Sequence, residues 1–583
     1  MRIVLRPPDF ASCLRLKPAN HKLRRAGCPR RPPRSREEVL LGASERSASA
    51  ISMRSPRSFL NPGANTVSRG RRRRGRERLR SGQRPSLLLA IALVLTGCAV
   101  GPNFHRPDPP PVNGYTPEPL ARRTAGAKIS AGESQRFVEG LDIPGQWWTL
   151  FHSQALNEFV DEAIKDNPTL ESAQAALRIA QEDVSAQKGS YYPSISANFI
   201  PSRNKTATST ITPVANTGNP FYSLYTTALS VSYVPDVFGL NRRTVESLQA
   251  QADLQRYQLE ATYLTLTSNI VTAAILEAAL RGEINATEDT IRVATDALDI
   301  MQKQLTLGQI AGADVATQET ALAQVQATLP PLQKQLAQQR DLLAALAGRF
   351  PSDGVLEKFT LADLRLPENL PVSLPSKLVD QRPDVRGAEE QLHSACAQIG
   401  VAVANMLPNV TLSGTGGSQA LAFSSLFAPG TGYFTLAASL TQPIFEGGTL
   451  LHRTRAARAT YDQSAAQYKS TVITAFQNVA DSLRAIQSDA DAVRTAVIAE
   501  QAAATTLDIT RKQLQAGQIA YLSLLSAEQA YYQTQINLVV AKANRYADTA
   551  ALFQALGGGW WNRSDVVVKK GRGGPPPQKP FLE

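Results

Sequence analysis

Cys98 stands in a sequence context that gives its thiol an evident chemical role. It follows Leu95-Thr96-Gly97, and a run of nine apolar residues from Leu87 to Leu95 comes before it. That run is too short to cross a bilayer as a helix, which takes about 20 residues, but it has the length of a signal-peptide core. Small residues before a cysteine are what a lipoprotein signal peptidase accepts. We therefore predict cleavage before Cys98 and acylation of its thiol and freed amine.

The segment resembles a bacterial lipobox. Ala99 follows the cysteine, where an Asp would imply retention in the inner membrane, so the resemblance implies sorting to the outer membrane. A signal peptide with an incidental cysteine is the alternative interpretation.

The remaining residues with reactive side chains form no catalytic or metal-binding pattern. Cys13 and Cys28 lie in a basic N-terminal arm, which leaves Cys396 without a partner for a disulfide. The five histidines are scattered without metal-ligand spacing. Gly414-Thr415-Gly416-Gly417 lacks the Gly-Lys-Ser/Thr of a phosphate loop, so we predict a strand end or loop there. We expect no enzyme activity and no cofactor other than the covalent lipid.

The positive charge is confined to the N-terminal arm. Residues 1–97 hold 23 of the 62 Lys and Arg and 5 of the 49 Asp and Glu, so the rest of the chain is net acidic. A basic arm could bind nucleic acid, but a secretion signal follows this one, so we predict no nucleic-acid partner. We assign 1–80 to a disordered extension or misassigned start, 81–97 to a lipoprotein signal peptide, and 98–150 to a lipid-anchored tether, with 101–119 extended.

An internal duplication organises the remainder. Residues 301–326 and 510–535 share eleven identities in 26 positions, and Asn167-Pro168 and Pro193 recur upstream as Arg382-Pro383 and Pro408. One unit of about 200 residues present twice indicates a pseudo-symmetric fold rather than a solenoid. We place repeat 1 at 151–350, a linker at 351–375, repeat 2 at 376–558 and a tail at 559–583.

The sequences of the two copies predict the same order of secondary-structure elements. A helix (154–188 or 376–404) is followed by an alternating strand (194–199 or 409–413), a polar loop and a returning strand. A helix of roughly 65 residues then spans about 241–306 or about 449–515, and an antiparallel helix returns over 314–348 or 521–556, kinked in copy one at Pro330-Pro331. Roughly 65 residues give a helix about 100 Å long, which no globular domain accommodates. The fold class is therefore mainly α with a small β part.

The strands have the length and alternation of membrane-spanning β-strands. Four of them cannot close a barrel, and an open edge in lipid leaves backbone groups unpaired. Sharing between chains removes the edges, and three chains would supply twelve strands.

The chain resembles the TolC-like outer-membrane efflux proteins, and among them the NodT-type lipoproteins of resistance-nodulation-division (RND) systems, over about 98–562. The motifs that carry this resemblance are Gly145-Gln146-Trp147-Trp148, Gln381-Arg382-Pro383-Asp384-Val385-Arg386, the 400–408 approach to a strand, Gln442-Pro443-Ile444-Phe445, both Lys-Gln-Leu-x-x-Gly-Gln segments, and 547–560. It implies a homotrimer with a twelve-stranded outer-membrane β-barrel and a long helical barrel in the periplasm, with a belt from 349–375 and the C-terminal segment. It also implies a periplasmic adaptor and an inner-membrane RND pump as partners, and small molecules such as drugs as cargo.

Site residues follow from the resemblance and the repeat. Gly308 with Gln309, and Gly517 with Gln518, mark the helical tips that would meet the adaptor; the glycines also suit helix C-caps. Asp314 is a candidate for the periplasmic gate, although a helix N-cap is the favoured alternative interpretation. Its counterpart is Ser523, where relatives commonly carry Asp, which puts a symmetric acidic gate in doubt.

Three other functions remain open. A type I protein-secretion duct would share the fold, but the lipobox and the NodT-type motifs favour small-molecule efflux. An inner-membrane adaptor lipoprotein would share the helical hairpin without the four strands or the duplication. A secreted enzyme would need a site that the sequence does not offer.

Overall fold

A computed structural model describes residues 99–205, 221–355 and 357–564. The chain divides into two units, 1–80 and 81–583, and every described residue belongs to the second. Cys98 therefore lies just outside the described residues.

The duplication is visible as two copies of one series of elements. After a short strand β1 (Arg136–Glu139), copy one contains α1 (Gln154–Asp166), α2 (Pro168–Lys188), β2 (Ser194–Lys205), β3 (Phe221–Tyr233), α3 (Leu240–Thr306) and α4 (Gly312–Leu346). After β4 (Asn369–Val372), copy two contains α5 (Pro375–Gln381), α6 (Pro383–Ala404), β5 (Asn409–Ala420), β6 (Gly432–Thr441), α7 (Thr449–Gln515) and α8 (Tyr521–Ala555). The prediction of a mainly helical fold with an internal duplication agrees with this order.

The first helix of each copy is broken in two, which corrects the prediction of continuous helices over 154–188 and 376–404. Both breaks precede a proline, Pro168 or Pro383, and the residue before it is extended. Proline disfavours helical backbone at the preceding residue but fits the first turn of a new helix. In copy one Asn167 accepts hydrogen bonds from the backbone N–H groups of Thr169 and Leu170, so it caps α2.

The four long strands form one antiparallel sheet in the order β2-β3-β5-β6. They have 12, 13, 12 and 10 residues, longer than the alternating segments predicted at 194–199 and 409–413. The assignment of Gly414-Thr415-Gly416-Gly417 to a strand end or loop is wrong, because all four residues lie inside β5 and pair with β6. A Cβ at Gly417 would lie 2.1 Å from the carbonyl oxygen of Thr227 on β3, so the strands approach too closely there for a side chain.

The long helices α3 and α7 have 67 residues each, as the sequence predicted within a residue. At about 1.5 Å per residue each extends about 100 Å. Among the described helices, α3 alone is long and apolar enough to cross a membrane by composition, but most of its apolar window is buried inside the protein. The return helix α4 continues without interruption through Pro330 and Pro331.

The main core lies midway along the helices. Trp147, Trp148 and Phe151 are almost fully buried, and the Trp147 ring stacks on Phe553 of α8 with ring centroids 5.4 Å apart. The parallel pair β1-β4 joins the segment before repeat 1 to the linker between the repeats, beside this core. Buried Arg545 of α8 holds residues 131–133 through hydrogen bonds to the carbonyls of Ala131 and Glu133. Part of the segment predicted as a tether is thus packed into the folded body.

Candidate functional site: the sheet, the helical tips and the N-terminal segment

The four-stranded sheet has one apolar and one polar face. The register brings Ile195 beside Val231, Val231 beside Gly414, and Gly414 beside Leu436, so alternate residues of all four strands share a face. The adjacent rung aligns serines and threonines, among them Ser230 and Thr415, whose hydroxyl oxygens are 3.4 Å apart. One face can therefore contact lipid while the other contacts water.

The apolar side chains of this sheet are exposed in the isolated chain. The exposed fraction is 79% for Leu436, 79% for Phe434 and 70% for Leu440. Within the described residues β2 and β6 each pair on one side only, so both outer edges of the sheet are open. An apolar exposed face with two open edges is the surface of an incomplete barrel.

The two predicted tips have the same backbone geometry. Gly308 and Gly517 adopt the left-handed conformation, with φ of +73° and +71°. The next residue donates its backbone N–H back into the last helical turn: Gln309 to the Gln304 carbonyl and Gln518 to the Gln513 carbonyl, both at 2.9 Å. This is a Schellman cap, so the glycines do end the helices as predicted. All four of the predicted tip residues are exposed.

The polar side chains beside the tips are arranged identically in the two hairpins. Lys303 contacts Asp299 and Lys512 contacts Asp508, each with an Nζ–O distance of 2.6 Å and a spacing of four residues. Because these side chains are exposed, such pairs contribute only about 0.3–0.5 kcal/mol each to stability. The two matching ion pairs therefore add little to the stability of the hairpins.

Asp314 is the third residue of α4 and not its N-cap, which corrects the structural alternative considered for it. The N-cap is Ala311, and its backbone N–H donates to Asp314 Oδ2 at 3.3 Å. The carboxylate therefore stabilises the start of α4 from an exposed position. At the equivalent turn of α8, Ser523 donates only its backbone N–H, to the Ala520 carbonyl.

The residues after Cys98 are fixed to the junction between the sheet and the helices. Val100 donates its backbone N–H to the Phe238 carbonyl at 3.1 Å. The buried guanidinium of Arg243 donates from Nε to the Val100 carbonyl at 3.0 Å and from Nη2 to Asn103 Oδ1 at 2.8 Å. Ala99 touches Gly239, where an added Cβ would lie 2.6 Å from the Ala99 Cα.

A charged cluster next to this segment was not predicted from the sequence. His393 of α6 lies 3.2 Å from Glu246 of α3 through Nε2 and 3.2 Å from Glu390 through Nδ1. Burial lowers the pKa of His393, but the hydrogen bonds and charges of the two carboxylates outweigh it and raise the pKa to about 9. The hydrogen bond to His393 in turn lowers the pKa of Glu246. Because residues 246 and 393 are 147 positions apart, no local pattern could have identified the pair.

A second unpredicted pair joins α7 and α8. Burial and then the hydrogen bond and charge of Asp548 raise the pKa of Asp489 to about 7, against the opposing charge of Arg545. Two carboxyl groups in contact share a proton more readily than they hold two negative charges.

In the part of the chain that the structure describes, no group of three or more His, Cys, Asp or Glu side chains is placed so that it could hold a metal ion.

Comparison with known proteins identifies the fold and the family. The chain is 25% identical over 480 residues to the toluene efflux pump outer membrane protein TtgC of Pseudomonas putida, covering 82% of this chain and 96% of that relative. It is 26% identical over 486 residues to the cation efflux system protein CusC of Escherichia coli, covering 81% and 98%. The crystal structure of the Campylobacter jejuni CmeC outer membrane channel has the same fold, with a TM-score of 0.69 and 21% identity over 79% of this chain and 95% of that one. Residues 159–349 and 374–558 match the family described as outer membrane efflux protein, and these two ranges coincide with the two copies of the repeat. The chain belongs to the outer membrane efflux protein family.

Proposed function

We propose that this outer-membrane efflux protein is the exit duct of a tripartite RND-type pump and works as a trimer. The observation that carries the proposal is the amphipathic sheet with two open edges. Each unpaired backbone group at an edge in lipid costs several kcal/mol, so the edges must be joined. A closed barrel needs about eight strands or more, and three chains of four strands satisfy this with the three-fold symmetry of a closed ring.

The helices support a duct that continues below the membrane. Helices α3 and α7 start shortly after the strands of the sheet, with Gly239 and Gly448 as their N-caps, and run about 100 Å to the tips. Three chains would contribute twelve helices to a tube of that length. Six similar tips would then face the periplasmic adaptor, which we propose connects the duct to the inner-membrane pump.

The lipid anchor fits the same arrangement. A peptide bond keeps consecutive Cα atoms about 3.8 Å apart, and Ala99 contacts Gly239 at the start of α3. A lipid on Cys98 would thus enter the membrane at the junction between the sheet and the helices. We propose that acylation holds the trimer at this depth.

The cargo we propose is small molecules. The two relatives above carry names that specify toluene efflux and cation efflux. The family is one of channel proteins, and we propose that this member, too, conducts without catalysing a reaction. Export of a protein by a type I system is the second candidate, since it would use the same fold.

Complementation with a measurement of mass tests the proposal. The gene would be expressed in a bacterium that lacks its own outer-membrane efflux duct but has an RND pump and adaptor from the same genome as this chain. We expect restored resistance to toluene or antibiotics, and a detergent-extracted species of three protein masses. A folded monomer with no gain in resistance would overturn the proposal, and secretion of a type I protein substrate without drug efflux would favour the second candidate.

A further inference from the structure

The two hairpins of the sheet carry almost no charge. Residues 194–235 and 406–445 contain no Asp or Glu, and their only basic residues are Arg203 and Lys205. Both of these cations lie near the end of β2. Joining the edges of the sheet uses backbone groups, so it does not account for either cation.

The two cations lie on the apolar face of the sheet. The register of β2 with β3 runs without interruption over all twelve residues of β2. Because successive side chains of a strand point to opposite faces, Arg203 and Lys205 share the face of Ile195 and Phe199. The apolar face is the one that contacts lipid in the barrel, so both cations point toward the membrane and away from the lumen.

The position of the cations along β2 corresponds to the outer surface of the membrane. The helices extend into the periplasm, and β2 begins at the end of the sheet that joins them and finishes at the opposite end. Arg203 and Lys205 follow Ser194 by nine and eleven residues, about 30 and 36 Å along the strand at about 3.3 Å per residue. A strand tilted by about 45° rises only about 21 and 26 Å over these lengths, and the apolar band of such barrels is about 25 Å tall.

Aromatic side chains mark the same boundary on this face. The ring of Phe423, from the loop between β5 and β6, contacts those of Phe199 and Tyr225, with centroids 6.1 and 5.9 Å away. The ammonium nitrogen of Lys205 lies 5.3 Å from the centroid of the Phe221 ring. Aromatic residues form girdles at the interfaces of outer-membrane barrels, and a cation on the lipid face is tolerated there but is costly at the midplane. The two cations therefore lie at headgroup depth.

The sheet itself supplies no anion for these cations. Arg203 donates from Nη1 to Ser223 Oγ at 3.2 Å, and this hydroxyl is neutral. A guanidinium has five N–H donors and an ammonium group has three, so most of them are left for another partner. The sheet of a neighbouring subunit has the same sequence and brings no carboxylate to the joined edge. The neutralising anion must therefore come from the membrane or the solvent.

We propose that Arg203 and Lys205 bind the phosphate groups of a glycolipid in the outer leaflet of the outer membrane. Arginine binds phosphate through two parallel hydrogen bonds, and lysine binds it as a point charge. Alternate residues of a strand lie about 7 Å apart on one face, which lets the two side chains hold phosphates of one lipid. The inference rests on the barrel proposed above, which turns the apolar face toward lipid, and it adds one lipid site to each subunit.

Titration with lipid A, the phosphorylated glycolipid of the outer leaflet, tests this site. The full chain would be purified in a neutral detergent, and bound lipid would be counted by native mass spectrometry. We expect the wild type to bind lipid A with two phosphates and to bind phosphate-free lipid A weakly, and inorganic phosphate should not displace the lipid. A basic residue near an anionic lipid surface strengthens binding roughly fivefold. Arg203→Gln combined with Lys205→Gln should therefore weaken binding of lipid A roughly 25-fold.

Two control variants separate the site from general charge effects. Lys334→Gln with Arg484→Gln removes one Lys and one Arg from exposed positions on the helices and should leave lipid binding unchanged. The second control moves both cations to the polar face at the same level, through Ser202→Arg, Arg203→Gln, Asn204→Lys and Lys205→Gln. This variant keeps the net charge but should bind lipid A as weakly as the double glutamine variant.

The same spectra distinguish failure of the lipid site from failure of the duct, because they also give the mass of the assembly. A trimer whose binding of lipid A is unchanged by the double glutamine substitution overturns the site and leaves the duct standing. A wild type that binds phosphate-free lipid A equally well, or that releases lipid A to inorganic phosphate, does the same. A folded monomer overturns both the trimeric duct and the site. If the double variant does not fold, the comparison of the two lipids on the wild type decides the matter.

Discussion

The imidazole of His393 stacks on the ring of Phe104, with ring centroids 4.4 Å apart and an angle of 16° between the planes. Phe104 follows Cys98 by six residues, and His393 is also held by Glu246 and Glu390. Beside it, Arg106 pairs with Asp380 and Glu389. The segment that follows Cys98 is therefore held on α5 and α6 by a stacked ring and a set of ion pairs.

Replacing His393 with Ala should loosen this segment. The variant loses the stack and both ion pairs, so chymotrypsin should cleave after Phe104 several-fold faster than in the wild type. Because the pKa of His393 in the folded protein is raised to about 9 from 6.5, the stabilisation is complete below about pH 6.5 and is lost as the pH rises through about 9. Wild-type cleavage should therefore accelerate between pH 6.5 and 9. The control variant His152→Gln, which changes an exposed histidine, should alter neither the cleavage rate nor its pH dependence. A wild-type cleavage rate that does not change with pH would contradict the role of the ion pairs.

Gly417→Ala should impair barrel formation, whereas Gly416→Ala should not. A Cβ at residue 417 would lie 2.1 Å from the Thr227 carbonyl oxygen, and at residue 416 it would meet no atom within 4 Å. Overpacking of this kind costs about 1–3 kcal/mol. We expect less folded protein in the outer membrane for the first variant, measured by heat-modifiable migration on a gel. Equal amounts of the two variants would show that the strands separate without cost.

The sequence predicted the elements that depend on periodicity, and missed those that depend on close approach. The lengths of α3 and α7 follow from long proline-free helical patterns. The tip motif that recurs in both copies shows which residues of the two helices correspond. The helix breaks at Pro168 and Pro383 could have been predicted from the proline alone. The glycines inside β5 suggested a loop because glycine is rare in strands. Glycine is needed at position 417 because the Thr227 carbonyl of β3 leaves no room for a side chain, and this contact with another strand cannot be inferred from the local sequence.

The long-range polar contacts could not have been predicted. Glu246 and His393 belong to different copies of the repeat, and Asp489 and Asp548 to different helices, so their contacts arise only when the helices pack. The family and the fold class are confirmed by the comparisons. Acylation of Cys98, the roles of the tip residues and a gate at Asp314 remain predictions.

Cys98→Ser should abolish lipid attachment. Serine has no thiol to accept the diacylglycerol, so cells fed labelled palmitate should incorporate no label into this variant. An unprocessed precursor should accumulate, since the peptidase acts on the modified cysteine. Cys396→Ser, which alters a buried cysteine on α6, should leave labelling intact. Equal labelling of Cys98→Ser and the wild type would contradict the assignment.

Asp489→Asn should stabilise the protein at alkaline pH. The pKa of Asp489 is raised to about 7 from 3.8, so the folded state becomes less stable as the pH rises through that interval. Asn keeps a donor for Asp548 without a second negative charge. We expect a higher melting temperature than the wild type at pH 8 and nearly the same value at pH 4. The control Asp491→Asn, which removes an exposed ion pair with Arg494, should change the melting temperature little at either pH. If Asp489→Asn does not raise the melting temperature at pH 8, Asp489 and Asp548 do not share a proton.

Arginine at both Gln309 and Gln518 should abolish efflux without affecting assembly. Both side chains follow the left-handed glycine at a tip and are exposed, so the folded state should tolerate the change. Capping explains the glycines, but it does not explain why both copies share Lys-Gln-Leu before the glycine and Gln-Ile-Ala after it. A docking surface for the adaptor, repeated six times in a trimer, accounts for the match.

Drug susceptibility and crosslinking to the adaptor measure the effect of this double substitution. We expect susceptibility equal to that of a strain without the duct, loss of the crosslink, and wild-type amounts of trimer in the outer membrane. The matched control is Gln335→Arg with Asn544→Arg, two exposed positions related by the same offset of 209 but located along the return helices. A charged side chain at the centre of a docking surface would have to lose its hydration when the adaptor binds, and this should weaken binding. If efflux and the crosslink both survive arginine at Gln309 and Gln518, the tips therefore serve only as turns.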